Sequence, residues 1–333
     1  MKIAIAILNW NGAELLKRYL PSVIEHSTEA DVYVIDNAST DSSIALLKTS
    51  YPTVRLIELP QNFGYAGGYN KGLKQIEADV FCLLNSDVEV TKNWLRPIIN
   101  LYATNKEVAI VQPKILDATH RDRFEYAGAA GGYLDMLGYP FCRGRIFQHV
   151  ERDEGQYDDK VDIFWASGAC FFIKSHLFWK LGAFDTDYFA HQEEIDLCWR
   201  ANNAGKSVVY IGKSCVYHLG GGTLKEASPQ KTYLNFRNSL FSILKNVPIG
   251  RALFIIWLRL LLDGLAALRF AAQGKLRHVV AVLHAHISFY GSFRSMYGKR
   301  ETTNFILKYY LVKSIVWSHF VHQVNNFNNL VKD

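Results

Sequence analysis

Val80-Phe81-Cys82-Leu83-Leu84-Asn85-Ser86-Asp87 decides how this chain is built. Five consecutive apolar residues without alternation read as a strand covered on both faces, the pattern of a parallel sheet flanked by helices. The run then stops on an amide, a hydroxyl and a carboxylate. Residues 3–8, 32–35 and 54–59 have the same form upstream, and 108–111 have it downstream. Between them, residues 13–25, 42–49, 69–77 and 94–104 read as helices or helical turns. This β-α-β-α order predicts a doubly wound α/β domain with a mainly parallel sheet. Ligands of such sheets bind at the carboxyl ends of the strands. The polar clusters fall there: Asn9-Trp10-Asn11-Gly12, Asp36-Asn37-Ala38-Ser39-Thr40-Asp41, Asn62-Phe63-Gly64 and Asn85-Ser86-Asp87.

Composition sets the outer limits. With 333 residues and 49% hydrophobic content, the chain can bury one large core or two modest ones. Disordered, collagen-like and disulfide-dense classes are excluded. The five cysteines form no CxxC pair and are odd in number, which argues against a disulfide framework or structural zinc and for a reducing compartment. The first apolar run is too short for a signal peptide and reads as a buried strand, so the chain is expected to start in the cytoplasm. The net charge of +6 divides unevenly: residues 225–333 hold 15 Lys and Arg against 4 Asp and Glu, whereas residues 1–224 hold 22 against 27. An acidic part can host metal or catalytic carboxylates, and a basic tail points to an anionic partner. No recognition motif accompanies that charge, so nucleic acid is not expected.

The first strand ends without a GxGxxG turn or a Walker lysine loop, which removes support for hydride transfer on NAD and for P-loop phosphoryl transfer. Asp36 follows a buried strand, where its carboxylate can accept hydrogen bonds from a base or ribose hydroxyls. Asp41 is open between a site role and a helix cap. Gly64, Gly67 and Gly68 precede an expected helix, an arrangement that lets backbone approach a ligand, although glycine-rich turns are common. Asp87 is placed to hold Mg²⁺ or Mn²⁺ at a diphosphate, the alternative being an ordinary turn. Residues 117–160 read as an irregular insertion or short hairpins. A strand near 161–165 leads to Ser167-Gly168-Ala169, and a helix near 193–204 follows a second apolar run. On that helix Glu193, Asp196 and Arg200 share a face while Glu194 points elsewhere. Acidic residues in a first turn also suit the helix dipole.

Taken in order, Ile7-Leu8-Asn9-Trp10-Asn11-Gly12, Val34-Ile35-Asp36-Asn37-Ala38-Ser39-Thr40-Asp41, Asn62 through Asn70 and Leu83-Leu84-Asn85-Ser86-Asp87 resemble the family 2 glycosyltransferases of the GT-A fold, rhamnosyltransferase-like bacterial members above all. The resemblance covers roughly residues 1–225. It implies an inverting transferase that uses a nucleotide-diphosphate sugar. Asp36 would contact the nucleobase, and Asn62 with Gly64 and Gly67 would line the nucleotide-sugar pocket. Asn9, Asn11, Asn37, Ser39, Asn70, Asn85 and Ser86 would surround it. Asp87 would end a DxD-type metal motif in which Asn85 replaces the first Asp. His218 would complete the metal and diphosphate site, and the glycines after it suit a loop closing over the donor. Glu193-Glu194 is similar to the family's Glu-Asp motif, which makes Glu194 the implied base and Glu193 its alternative. Asp196 and Arg200 would hold that helix. Trp165 and Gly168 match the acceptor-side turn, where Trp165 either stacks on sugar or belongs to the core.

Residues 252–269 are the greasiest stretch, yet Arg259, Asp263 and Arg269 interrupt it, and a spanning helix needs about 20 nearly uncharged residues. On a helical wheel Arg251, Arg259, Asp263, Arg269 and Gln273 fall within an arc of about 120°. That pattern fits a helix in a membrane interface or one packed in a bundle. Lys275, Arg277, His278, Arg294, Lys299 and Arg300 add charge suited to anionic headgroups or a lipid-diphosphate acceptor. The expected architecture is therefore a GT-A domain over 1–225, with a donor half (1–115) and an acceptor half (116–225), and a basic helical extension over 226–333. The expected activity is extension of a lipid-linked or cell-surface glycan at the cytoplasmic face of a membrane. The alternatives are a nucleotidyltransferase, which would want a basic phosphate loop where Asn9-Trp10-Asn11-Gly12 stands, and a non-catalytic glycan- or membrane-binding scaffold.

Overall fold

The computed structural model describes residues 1–126, 128–220, 228–300 and 305–331. The first half runs β1 (Ile3–Asn9), α1 (Ala13–His26), β2 (Ala30–Asp36), α2 (Ser43–Ser50), β3 (Arg55–Glu58), α3 (Gly64–Leu73), β4 (Val80–Asn85), β5 (Val88–Val90), α4 (Leu95–Thr104) and β6 (Val108–Asp117). The short strands β7 (Gly132–Leu134), β8 (Pro140–Cys142), β9 (Arg145–Ile146) and β10 (His149–Val150) form a separate antiparallel sheet, so the irregular stretch folds as hairpins. Then come β11 (Lys160–Ile163), β12 (Cys170–Lys174), α5 (Ser175–Lys180), α6 (Glu193–Asn203) and β13 (Ser207–His218). Three long helices follow: α7 (Pro229–Asn246), α8 (Ile249–Ala272) and α9 (Leu276–Gly298).

The large sheet has the order β11-β13-β6-β12-β4-β1-β2-β3, with β5 beside β13. Its backbone follows the expectation: β3, β2, β1 and β4 are parallel neighbours, and β6 and β13 pair in parallel. β12 runs antiparallel between β4 and β6. Its Cys-Phe-Phe-Ile sequence is covered on both faces like the others, and composition carries no sign of strand direction. Along β1, Ile3, Ile5 and Ile7 face the layer of α1 and α4, while Ala4 and Ala6 face the other side. Those alanines leave room for the buried ring of Tyr69, whose hydroxyl donates to the Leu84 carbonyl at 3.1 Å.

One expectation changes. α3 starts at Gly64, not near residue 69, so Gly67 and Gly68 lie inside the helix. A Cβ on Gly68 would sit 2.7 Å from the Leu8 side chain, and one on Gly72 would sit 2.4 Å from Ile35. These glycines let the helix lie close on the sheet. The boundary expected at 225 falls among residues 221–227, outside the described residues, as do Gly221 and Gly222 of the expected closing loop. On either side of it the core is continuous: Leu240, Phe241, Ile243 and Leu244 of α7 share one cluster with Phe171, Phe184 and Trp199. α7 starts where Ser228 caps it, accepting from the Lys231 N–H at 3.2 Å, with Pro229 at its first position. After α9 the chain returns to the small sheet, where Leu311 N–H donates to Leu134 and Ile315 N–H to the Asp135 carboxylate.

Candidate active site

The strand tips of β1 and β2 interlock through short polar side chains. Asn9 Nδ2 donates to Asp36 at 3.0 Å and to Ser39 Oγ at 3.1 Å, and the Asn11 N–H donates to the same hydroxyl at 2.9 Å. Asp36 is wholly buried and also accepts from the Ser39 N–H at 2.8 Å. The exposed Asn11, in a left-handed conformation, accepts from the Thr40 N–H at 2.7 Å. Asp41 resolves as a cap: its oxygens accept from the first N–H of both α1 and α2, each at 3.0 Å. Burial alone would raise its carboxyl, and hydrogen bonds from Ser43 and Ala13 hold it below the ordinary value.

A second knot joins β2 to the start of α3. Asn37 donates to Asn62 Oδ1 and to the Gly64 carbonyl, and accepts from the Phe63 N–H. The Gly64 N–H is taken by Asn62 Oδ1 and the Tyr65 N–H by the Phe189 carbonyl. The expected cradle of free N–H groups is therefore already satisfied by protein. Gly67 is buried, and a Cβ there would meet Phe63 at 2.9 Å, so the close packing of α3 by itself calls for a glycine. Asn70 is tied to the backbone of Phe184 through both amide atoms.

At the tip of β4 the chain presents Asn85, Ser86 and Asp87. The end of β13 brings His218 against them: Nε2 lies 3.2 Å from Asp87 Oδ1 and 3.5 Å from Asn85 Nδ2. Nδ1 lies 3.3 Å from Glu125 Oε1. Burial opposes the imidazolium, but Glu125 and Asp87 outweigh it and push the ring up to about 10. Glu125 escaped the sequence reading because it sits in the aperiodic stretch between β6 and β7. Among the described residues no three His, Cys, Asp or Glu side chains group as a metal cage. Asp87 offers a carboxylate oxygen, and His218 would add an imidazole nitrogen once Nε2 gives up its proton, a two-donor set that would suit a divalent ion at a diphosphate.

The turn at Ser167-Gly168-Ala169 connects this corner to α6. The Asn85 N–H donates to the Ala169 carbonyl at 2.9 Å, and the Tyr65 hydroxyl to the Gly168 carbonyl at 2.8 Å. A Cβ on Gly168 would stand 3.7 Å from the Glu194 carboxyl carbon. Glu194 is partly exposed there, whereas Glu193 is 3% exposed. Burial pushes Glu194 up to about 7, with N–H groups of the helix's first turn holding it down part of the way. Burial and the neighbouring Glu194 push Glu193 well above the usual carboxyl range. Trp165 is 5% exposed and donates to the Tyr133 carbonyl at 2.9 Å. It belongs to the core and has no open face for a sugar.

Asp196 and Arg200 fasten α6 from within. Asp196 accepts from Arg200 Nε, Lys245 Nζ and Asn246 Nδ2, each at 2.9 Å. Burial would raise its carboxyl, but Arg200 and Lys245 hold it far below the ordinary range. The segment before α6 is strained: Phe189, His191 and Gln192 have φ of 64°, 66° and 70°. Asn238 of α7 holds it, its amide nitrogen lying within 3.0 Å of the Tyr188, Ala190 and His191 carbonyls. Asn238 and Lys245 were not legible as site supports, since they lie beyond the expected domain boundary.

A family model described as Glycosyl transferase family 2 matches residues 4–182. The chain belongs to this family. This glycosyltransferase is 26% identical over 236 residues to the N-acetylglucosaminyl-diphospho-decaprenol L-rhamnosyltransferase of Mycobacterium tuberculosis, an alignment covering 65% of this chain and 75% of that protein. The S. aureus TarS fragment solved with UDP-GlcNAc superposes with a TM-score of 0.54 at 14% identity, over 90% of this chain and 91% of the other. The mannosyltransferase PcManGT of Pyrobaculum calidifontis, solved with GDP-Man and Mn²⁺, also gives 0.54 at 14% identity, over 90% and 83%. These likenesses show that the glycosyltransferase has the GT-A fold. Membership makes it an enzyme and sets aside the nucleotidyltransferase and the non-catalytic scaffold.

Proposed function

We propose that this enzyme transfers a sugar, with inversion, from a nucleotide-diphosphate sugar to a lipid-linked or cell-surface glycan at the cytoplasmic face of a membrane. One observation carries the reading: the Gly168–Ala169 turn links Asn85, at the tip of β4, to the carboxyl group of Glu194. This brings the proposed donor-side and acceptor-side groups together at the carboxyl end of the parallel strands, where ligands of such sheets bind. The interlocked Asn9, Asn11, Asp36 and Ser39 line the nucleoside end, with Asn37, Asn62 and Gly64 beside them. Asn85, Ser86, Asp87 and His218 face the diphosphate.

Glu194 takes the proton of the acceptor hydroxyl as that oxygen bonds to the anomeric carbon. The bond from that carbon to the diphosphate breaks, and its electron pair leaves with the nucleoside diphosphate. Glu193 lies beside Glu194, its carboxyl pushed well above the usual range by burial and by that neighbour. Asp87 and His218 would hold Mg²⁺ or Mn²⁺, which when bound offsets the charge growing on the diphosphate. Gly168, without a side chain, leaves space over Glu194 for the acceptor. The rhamnosyltransferase name of the mycobacterial relative supports a lipid-diphosphate acceptor. The test is calorimetric titration with a panel of nucleotide-diphosphate sugars with and without Mn²⁺. One or more should bind, and tighter with metal; a panel without a binder would reject the reading.

A further inference from the structure

α8 is built inside out. The middle of its polar arc points into the protein, while Arg269 and Gln273 at its C-terminal end stay exposed. Arg259 and Asp263 are 2% and 0% exposed. Asp263 accepts from Arg259 Nε at 3.2 Å and from the Tyr139 hydroxyl at 2.9 Å, and lies 3.1 Å from His286 Nε2. Arg259 also donates to Ser239 on α7 at 2.8 Å, and its guanidinium lies over the Tyr139 ring. Of the two sequence-based options, the bundle describes this face.

The opposite face is left open. Phe254, Trp257, Leu261, Leu265 and Leu268 are each between 53% and 66% exposed. On the neighbouring α9, Leu276, Val280, Leu283 and Ile287 are between 57% and 69% exposed. Both helices pack on α7 and on each other, so the two stripes flank one another on the side away from α7. Scattered exposed leucines need no explanation, but an apolar band along two helices of 24 and 23 residues marks an interaction surface. Among the described residues no helix is long and apolar enough to cross a membrane.

We propose that the α8–α9 face docks on the surface of an anionic lipid bilayer, with its apolar stripes seated among the upper acyl chains. Charge complementarity selects this occupant. Three of the cations of residues 228–331 are paired internally: Lys245 with Asp185 and Asp196, Lys299 with Asp185 and Asp187, Arg259 with Asp263. Arg269, Lys275, Arg277 and Arg294 remain exposed, at the hairpin tip and the far end of the α9 stripe. A second copy docked by the same face would bring these cations onto their own kind, as a two-fold contact repeats one patch on both partners. Anionic headgroups instead meet cations around an apolar centre. The inference deepens the proposed membrane-side transferase, but vesicle binding is measured without donor or acceptor, so failure here leaves the transfer reaction standing.

The experiment sediments the full chain with vesicles of phosphatidylcholine containing about a third phosphatidylglycerol, and with phosphatidylcholine alone. Sedimentation velocity without lipid runs in parallel. The chain should bind the anionic vesicles. The Leu261→Asp/Leu265→Asp variant, whose side chains are open to solvent, should keep its melting temperature and lose at least about tenfold in vesicle affinity. Arg277→Ser and Arg294→Ser should each cost about fivefold. Absence of vesicle binding, or equal binding by the leucine variant, would overturn the proposal. So would a lipid-free dimer that the leucine variant splits, which would assign the face to a second copy.

Discussion

The donor half and the C-terminal helices treat polar residues in opposite ways. At the strand tips of β1, β2 and β4, short polar side chains cluster at the edge of an apolar sheet. In the C-terminal helices Asn238, Lys245, Arg259, Asp263 and His286 are buried against distant partners, while large apolar side chains of α8 and α9 stand outside. Burying a charge is tolerable only when it is paired, so Asp196 draws Arg200, Lys245 and Asn246, and Asp263 draws Arg259, Tyr139 and His286. Polar residues at the strand tips are tied to near neighbours in the chain's own loops, while the buried polar residues of the helices are tied to distant elements of the fold. Substitutions can break that contrast.

The largest effect belongs to Glu194. Glu194→Gln should lower kcat by about 10²–10⁴ while donor affinity stays the same, read by steady-state kinetics and calorimetry. Asp87→Asn comes next, with a loss of about 10²–10³ in kcat/KM and weaker Mn²⁺-dependent donor binding. On the other side of the contrast, Asp263→Ala strands the Arg259 charge and should cost about 3–5 kcal/mol in denaturant unfolding. Its activity per folded molecule should change little; a selective loss of kcat with unchanged stability would erase the distinction between strand tips and helices.

The placement of the candidate residues at strand tips was legible because it rests on local sequence. An apolar run followed by Asp36 or by Asn85-Ser86-Asp87 names both a strand and its tip. Glycines were ambiguous: Gly67 and Gly68 serve equally well in a ligand loop or in close helix packing, and only the positions of Phe63, Leu8 and Asn37 decide between them. Glu125, Asn238 and Lys245 act across more than 45 residues of sequence, where periodicity is silent. For α8 the wheel separated a polar arc from an apolar one, yet nothing in a single helix says which arc meets the protein. That depended on Tyr139, Ser239 and His286 converging from elsewhere.

Two smaller effects sharpen the assignment. Glu194 acts as a base only when ionised, and its carboxyl is pushed up to about 7. kcat/KM should therefore be full above that value and fall about tenfold per pH unit well below it, a profile the Glu194→Gln enzyme should lose. Trp165→Phe removes the bond to the Tyr133 carbonyl and should cost about 1–2 kcal/mol in stability with kcat within about twofold. A large rise in acceptor KM would instead return Trp165 to the sugar site.

The most direct test is the anomeric configuration of the product, read by proton NMR for the donor that the nucleotide-sugar panel selects. A single displacement assisted by one base predicts inversion, an α-linked donor giving a β-linked product and a β-linked donor an α-linked one. Retention of the donor's configuration would contradict it.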